Sequence, residues 1–327
     1  MAAESIAAVA ESCSPARYNR IAFTYPNDDW LQPRLRVTVE DHGFDVIDVH
    51  QHLSHDSLDD SHRHLHVERN VVFEGPNLRR KGDNTGESRA SIELRNRLDA
   101  MDAQHVRSAV VIPIHGYLRP RGVVDTASMN DAVAAYRDLQ RNRFVAAVGV
   151  VEPIHGPVGY SEIKRCRDEL GFVGISTHGQ VPTNSLLMRR LVEKIGEAGL
   201  VPFVHCYGSY NETIAQVDSL AKDFPDLPML ALDVFHDPAQ VSLLPEVAER
   251  RPNLYFDLST SVNFEATGLP QIRAVGAERF LYGTNMHSLP LNTKPFGTLL
   301  PSIIDSDLTR HEKRAILSGN AERILGL

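Results

Sequence analysis

The chain has 327 residues, 42% of them hydrophobic and 23% charged, which is ordinary globular composition and excludes a disordered, collagenous or disulfide-scaffold protein. A formal charge of −8 with the 34 Lys and Arg scattered along the chain argues against nucleic acid and against an anionic membrane as partners, and leaves small molecules. Cys13, Cys166 and Cys206 are too few and too far apart for a disulfide framework or a thiolate zinc site, so a reducing, cytoplasmic setting is expected.

In chain order, residues 1–44 precede the first strand pattern and are expected to form an N-terminal extension. Short apolar runs rich in Val, Ile, Phe and Leu then recur at Asp45–Val49, Ser108–Ile112, Phe144–Val151, Phe172–Ser176, Val201–Val204, Met229–Val234, Leu254–Leu258 and Phe280–Gly283. After a long first gap their spacing is that of one strand, one helix and two loops. Helices are predicted over Asp125–Asn142, on Met129, Val133, Tyr136 and Leu139, and over Thr183–Gly199, on Leu187, Leu191, Ile195 and Ala198. Strands that are apolar throughout belong to a parallel sheet covered by helices. Eight such units predict an α/β fold, a single (β/α)8 TIM barrel over 45–327 with no second domain. The polar stretch 54–88 after the first strand is expected to be a long lid loop over the mouth, and 285–301 a second long loop. No apolar stretch is long enough to span a membrane.

Histidine is over-used, with 15 in the chain, and eight follow the predicted strands: His50, His52, His115, His155, His178, His205, His236 and His287. In a barrel these positions converge on one cavity. His50 and His52, one residue apart at a strand end, face the same way and can close on one cation, and His205 can complete the set from across the barrel. Glu152, Asp233 and Asp257 are open to either ligand or structural roles. The loop histidines His55, His62, His64 and His66 carry no assigned role, His55 being the nearest to the metal pair.

At this point the chain resembles the amidohydrolase-related family of metal-dependent barrels. The matching stretches are Ile47-Asp48-Val49-His50-Gln51-His52, Pro202-Phe203-Val204-His205, Leu232-Asp233-Val234-Phe235-His236, Phe280-Leu281-Tyr282-Gly283-Thr284-Asn285 and the closing Ser318–Leu327. The resemblance implies that His50, His52 and His205 bind metal and that His236 is a second-metal ligand or the catalytic acid/base. His178, with His205 and His236, is open to holding a second cation, or His178 alone to contacting a substrate carboxylate. Where the family places an aspartate after the last strand this chain has Asn285, which can offer a carbonyl oxygen but cannot accept a proton from water. His287 is a candidate replacement ligand.

That substitution leads the sequence reading away from hydrolysis, towards the branch that activates dioxygen on two irons, or on manganese with iron, and hydroxylates a small organic acid or its thioester. The alternative is a metal-dependent hydrolase or non-oxidative decarboxylase of a small carboxylate, on zinc or another divalent ion. The catalytic residues expected are His236 and Asn285. The expected partner is a small-molecule substrate, with a homo-oligomer possible from sequence.

Overall fold

The computed structural model describes residues 21–24, 36–53, 57–65, 88–287 and 298–327. Two short strands outside the barrel, β1 (Ile21–Thr24) and β2 (Arg36–Val39), pair antiparallel within the N-terminal extension. Neither was anticipated, because four residues give too little alternation to stand out.

The eight predicted strands form one parallel sheet in chain order: β3 (Ile47–His52), β4 (Ser108–Ile112), β5 (Phe144–Val150), β6 (Gly174–Thr177), β7 (Val201–His205), β8 (Met229–Leu232), β9 (Leu254–Asp257) and β10 (Phe280–Leu281). The ends of that order meet. Val49 N donates to Tyr282 O at 3.0 Å, His52 N to Met286 O at 2.6 Å and Met286 N to His50 O at 3.3 Å, so the sheet closes into a (β/α)8 barrel.

Helices α1 (Arg89–Ala103), α2 (Val123–Leu139), α3 (Pro157–Asp168), α4 (Leu186–Glu197), α5 (Ile214–Lys222), α6 (Pro238–Val241), α7 (Leu244–Arg250) and α8 (Gly268–Val275) follow the strands, and α9 (Leu299–Asp305), α10 (Arg310–Arg314) and α11 (Asn320–Leu325) close the chain. The helix predicted from Thr183 starts later because Ser185, not Thr183, is the cap, accepting from Met188 N at 3.3 Å. Of the predicted lid, Ser57–Leu65 is described and packs onto the barrel through buried Leu58 and Leu65. The rest, with His55 and His66, lies outside the described residues.

Two apolar layers hold the barrel. Ile47, Val49, Val110, Ile112, Ala146, Val148, Phe203, Leu230, Leu232 and Leu281 fill its interior, while alternate residues such as Val111, Ala147, Val204 and Ala231 pack against the helices. Gly174 makes room for this filling, since a Cβ there would lie 2.5 Å from Val201 O and 2.7 Å from the Phe203 ring. No helix among the described residues is long and apolar enough to cross a membrane.

Candidate metal centre

Strict alternation along β3 would point His50 and His52 away from the axis that Ile47 and Val49 face. A register irregularity between Asp48 and Gln51 reverses the parity. His50 and His52 then turn inward, and Gln51 turns out towards α1, where its Oε1 accepts from Arg97 Nη1 at 3.1 Å. His205 needs no such device, because Val201 and Phe203 already face the interior and His205 is next in step.

Nitrogens of these three buried imidazoles lie within 4.8 Å of one another, the one such group among the described residues. Each ring is oriented from behind. His50 Nδ1 meets Asp257 Oδ2 at 2.6 Å, His52 Nδ1 meets Pro113 O at 3.0 Å and His205 Nδ1 meets Thr177 O at 2.8 Å. With Nδ1–H donated outward, the Nε2 lone pairs converge, 2.9 Å apart for His50 and His52 and 3.4 Å for His52 and His205. Ligands at about 2.0–2.1 Å on a tetrahedral ion stand at about this separation. Lone pairs facing each other repel unless a cation or proton lies between them, so the donor set fits a divalent transition metal.

Burial, with the neighbouring imidazoles, holds His52 and His205 well below the ordinary histidine range, which keeps both neutral and able to ligate. Burial also acts on His50, but the Asp257 carboxylate outweighs it and its pKa rises. Gly283 lets the last strand approach, a Cβ there lying 3.0 Å from His50 Cβ and 3.1 Å from Asp257 Oδ2.

The remaining expected residues stand around this group at different distances. His178 stacks on His205 with ring centroids 4.7 Å apart, and its Nδ1 is bound to the buried Glu212 at 2.7 Å. Burial lowers its pKa but Glu212 more than compensates, and the net shift is upward. His236 is exposed at the rim, its ring stacked on Tyr207 at 3.7 Å. Neither is in the converging group, which is the three histidines expected to share one cation; His178 and His236, open in sequence to holding a second cation, stand apart from each other. The cause at His236 is a left-handed residue, Asp233 at φ 64°, which ends β8 and carries His236 outward on a short turn.

Asp233 itself takes the inward place. Its Oδ2 is 3.9 Å from His205 Nε2 and its Oδ1 accepts from Asn285 Nδ2 at 2.8 Å. Asn285 is buried, also left-handed at φ 50°, and its Oδ1 meets His287 Nε2 at 3.0 Å. His287 stacks on His52 at 4.7 Å. His115 stands 5.0 Å from the His205 ring, with Nε2 on Ser176 Oγ. Glu152 is buried beside Tyr117 and Arg119, and His155 is half-buried nearby. Of the loop histidines, His62 caps a surface turn on Asp59 and His64 lies 3.9 Å from Asp125, both away from the triad.

The family model described as Amidohydrolase matches residues 47–327. No curated protein matches the sequence. Among solved structures, the 5-carboxyvanillate decarboxylase of Sphingomonas paucimobilis is similar at 16% identity and a TM-score of 0.63, over 87% of this chain and 100% of that one. The 5-carboxyvanillate decarboxylase of Novosphingobium aromaticivorans, complexed with manganese and 4-hydroxy-3-methoxy-5-nitrobenzoic acid, gives 17% and 0.64 over 89% and 98%. A 2,6-dihydroxybenzoate decarboxylase from Rhizobium gives 15% and 0.58 over 86% and 99%. At these identities the likeness is one of fold.

Proposed function

The chain belongs to the amidohydrolase family, and from that membership we propose that it is a metal-dependent, non-oxidative decarboxylase of a small, aromatic-type carboxylic acid. The carrying observation is Asn285 beside a single group of three converging histidines. An amide there removes the base that hydrolysis needs. Loss of CO2 needs no activated water, and the neighbouring folds include three decarboxylases. The same substitution, read from sequence as pointing to dioxygen chemistry on two irons, is thus accounted for without an oxidant. The comparisons favour the decarboxylase alternative over the oxygenase.

His50, His52 and His205 would hold the divalent ion, which supplies Lewis-acid polarisation of substrate oxygens. The carbon–carboxylate bond breaks with its electron pair left on carbon, and a proton must arrive there. We assign this to His178: its Nδ1 is bound to Glu212, which leaves Nε2 as the nitrogen to carry the proton. Asp233, held by Asn285 and Ser259, faces the same space. His236, at the rim, serves for contact with outlying parts of the substrate.

The test is CO2 release from 5-carboxyvanillate and 2,6-dihydroxybenzoate by manganese-loaded protein under strict anaerobiosis. Release undiminished without dioxygen, and abolished in His205→Ala, is expected. Turnover that requires dioxygen and reductant would restore the oxygenase, and water-dependent cleavage without CO2 would restore the hydrolase.

A further inference from the structure

A carboxylate substrate is best held by a cation as well as a metal. Among the described residues of the loops after β4 to β9, only Arg119 and Arg121 carry a fixed positive charge. Arg121 is taken up by Asp125, through its backbone N at 2.7 Å and Nε at 2.8 Å. Arg119 is differently placed. Its guanidinium lies 4.7 Å over the Tyr117 ring, and Nη1 donates to Tyr117 O at 2.7 Å and His115 O at 3.3 Å. Its Nε faces the buried Glu152 at 3.4 Å, and Glu152 is itself fixed by Tyr117 OH at 3.1 Å. The fork is therefore preorganised, with Nη2 given to no acceptor among the described residues.

Its neighbours are polar atoms without partners. His115 Nδ1, His155 Nδ1 and Gln180 Oε1 are all buried and make no hydrogen bond. Arg119 reaches the His115 segment directly, through Nη1 on His115 O. His115 links this cluster to the metal centre, its ring 5.0 Å from that of His205 and 6.0 Å from that of His52. Buried donors and acceptors left unpaired are costly unless a ligand or solvent meets them.

We propose that Arg119, held by Glu152 and Tyr117 on the β4–β5 side of the mouth, is a specificity-determining residue that anchors a carboxylate of the substrate through its free Nη2 edge, with His115 and His155 completing the polar subsite. The inference rests on the decarboxylase reading for the substrate class. Through Nη2 the guanidinium can give a charge-assisted hydrogen bond to a carboxylate oxygen, which a neutral ester carbonyl accepts more weakly.

The experiment is calorimetry on manganese-loaded protein with 4-hydroxy-3-methoxy-5-nitrobenzoic acid and its methyl ester as probes. The wild-type protein should bind the acid at least tenfold more tightly than the ester. Arg119→Met should bring the ratio close to one, and Arg119→Lys should retain part of it, with manganese content equal in all three. An unchanged ratio in Arg119→Met, or no preference for the acid in the wild-type protein, overturns the inference. CO2 release with no acid preference would leave the decarboxylase reading standing and this inference fallen. An acid preference that depends on Arg119, with no CO2 release, would do the reverse.

Discussion

Asn285 and Asp233 show how one atom's identity sets a site. Asn285 Nδ2 donates to Asp233 Oδ1 at 2.8 Å. Asn285→Asp would put two carboxylates at that distance, a pair that cannot both ionise without a cation or a shared proton. The metal-free variant should lose about 1–2 kcal/mol, and manganese should raise its melting temperature by more than it raises that of the wild type. Equal shifts in a thermal-unfolding comparison would count against this. At His50, Asp257→Asn weakens the acceptor behind Nδ1 and should cost about 10–100-fold in manganese affinity, read by competition with a chelator while the far-ultraviolet circular dichroism is unchanged. His50, His52 and His205 were legible because they fall at strand ends and a period of two puts His50 and His52 on one face, although that face turns inward only through the irregularity in β3. Asp257 was named from sequence as open to a ligand or a structural role, but its pairing with His50 was not legible, because that bond spans 207 residues and depends on cross-strand register. Asp233 left one signal unread: Asp and Asn are the residue types that tolerate a left-handed turn, and Asp233 and Asn285 both adopt it.

At the scale of elements, β3 is tied to α1 by charges sealed in the core. Arg97 is fully buried, donating to His52 O at 2.9 Å and to Glu93 Oε1 at 2.7 Å, while Tyr136 OH donates to Glu93 Oε2 at 2.6 Å. Arg97→Met leaves Glu93 buried and uncompensated, and should cost about 3–5 kcal/mol. Adding Glu93→Gln should recover part of that loss in urea denaturation, and a double variant no more stable than the single would refute the pairing. Gly174→Ala should cost about 1–3 kcal/mol by overpacking Val201 O and the Phe203 ring, measured in the same way. The barrel helices were legible from their periodicity. The irregularity in β3 that turns His50 inward was not, since nothing local in Asp48-Val49-His50-Gln51 distinguishes a bulged strand from a regular one.

For the whole molecule, the balance of buried imidazoles sets the response to acid. Burial holds His52, His115 and His205 far below the ordinary value, with help from their charged neighbours. The unfolded chain takes up protons at these residues near about pH 6.5 while the folded chain does not, so stability falls as pH drops through that range. His50 and His178, shifted upward, work in the opposite sense: their contribution is complete below the same pH and fades as pH rises through their folded values. Three strongly shifted groups against two give a metal-free protein that melts at lower temperature at pH 5.5 than at pH 7.5. A melting temperature that holds or rises at pH 5.5 would show the balance to be wrong.

The closing seam of the barrel sets a condition on biosynthesis. Asp48 Oδ1 accepts from His50 N and from Thr284 N, both at 3.0 Å, and the second of these bonds joins residues 236 apart. The first barrel strand, β3, carries two of the three converging histidines, and it is made more than two hundred residues before the segment that locks it in place. Until that segment is made, the nascent chain carries a pair of imidazoles whose barrel has no closed seam. Closure of the histidine site therefore has to wait for residue 284, and a chain truncated before it should have β3 unlatched, which limited proteolysis would read as faster cleavage than in the full chain.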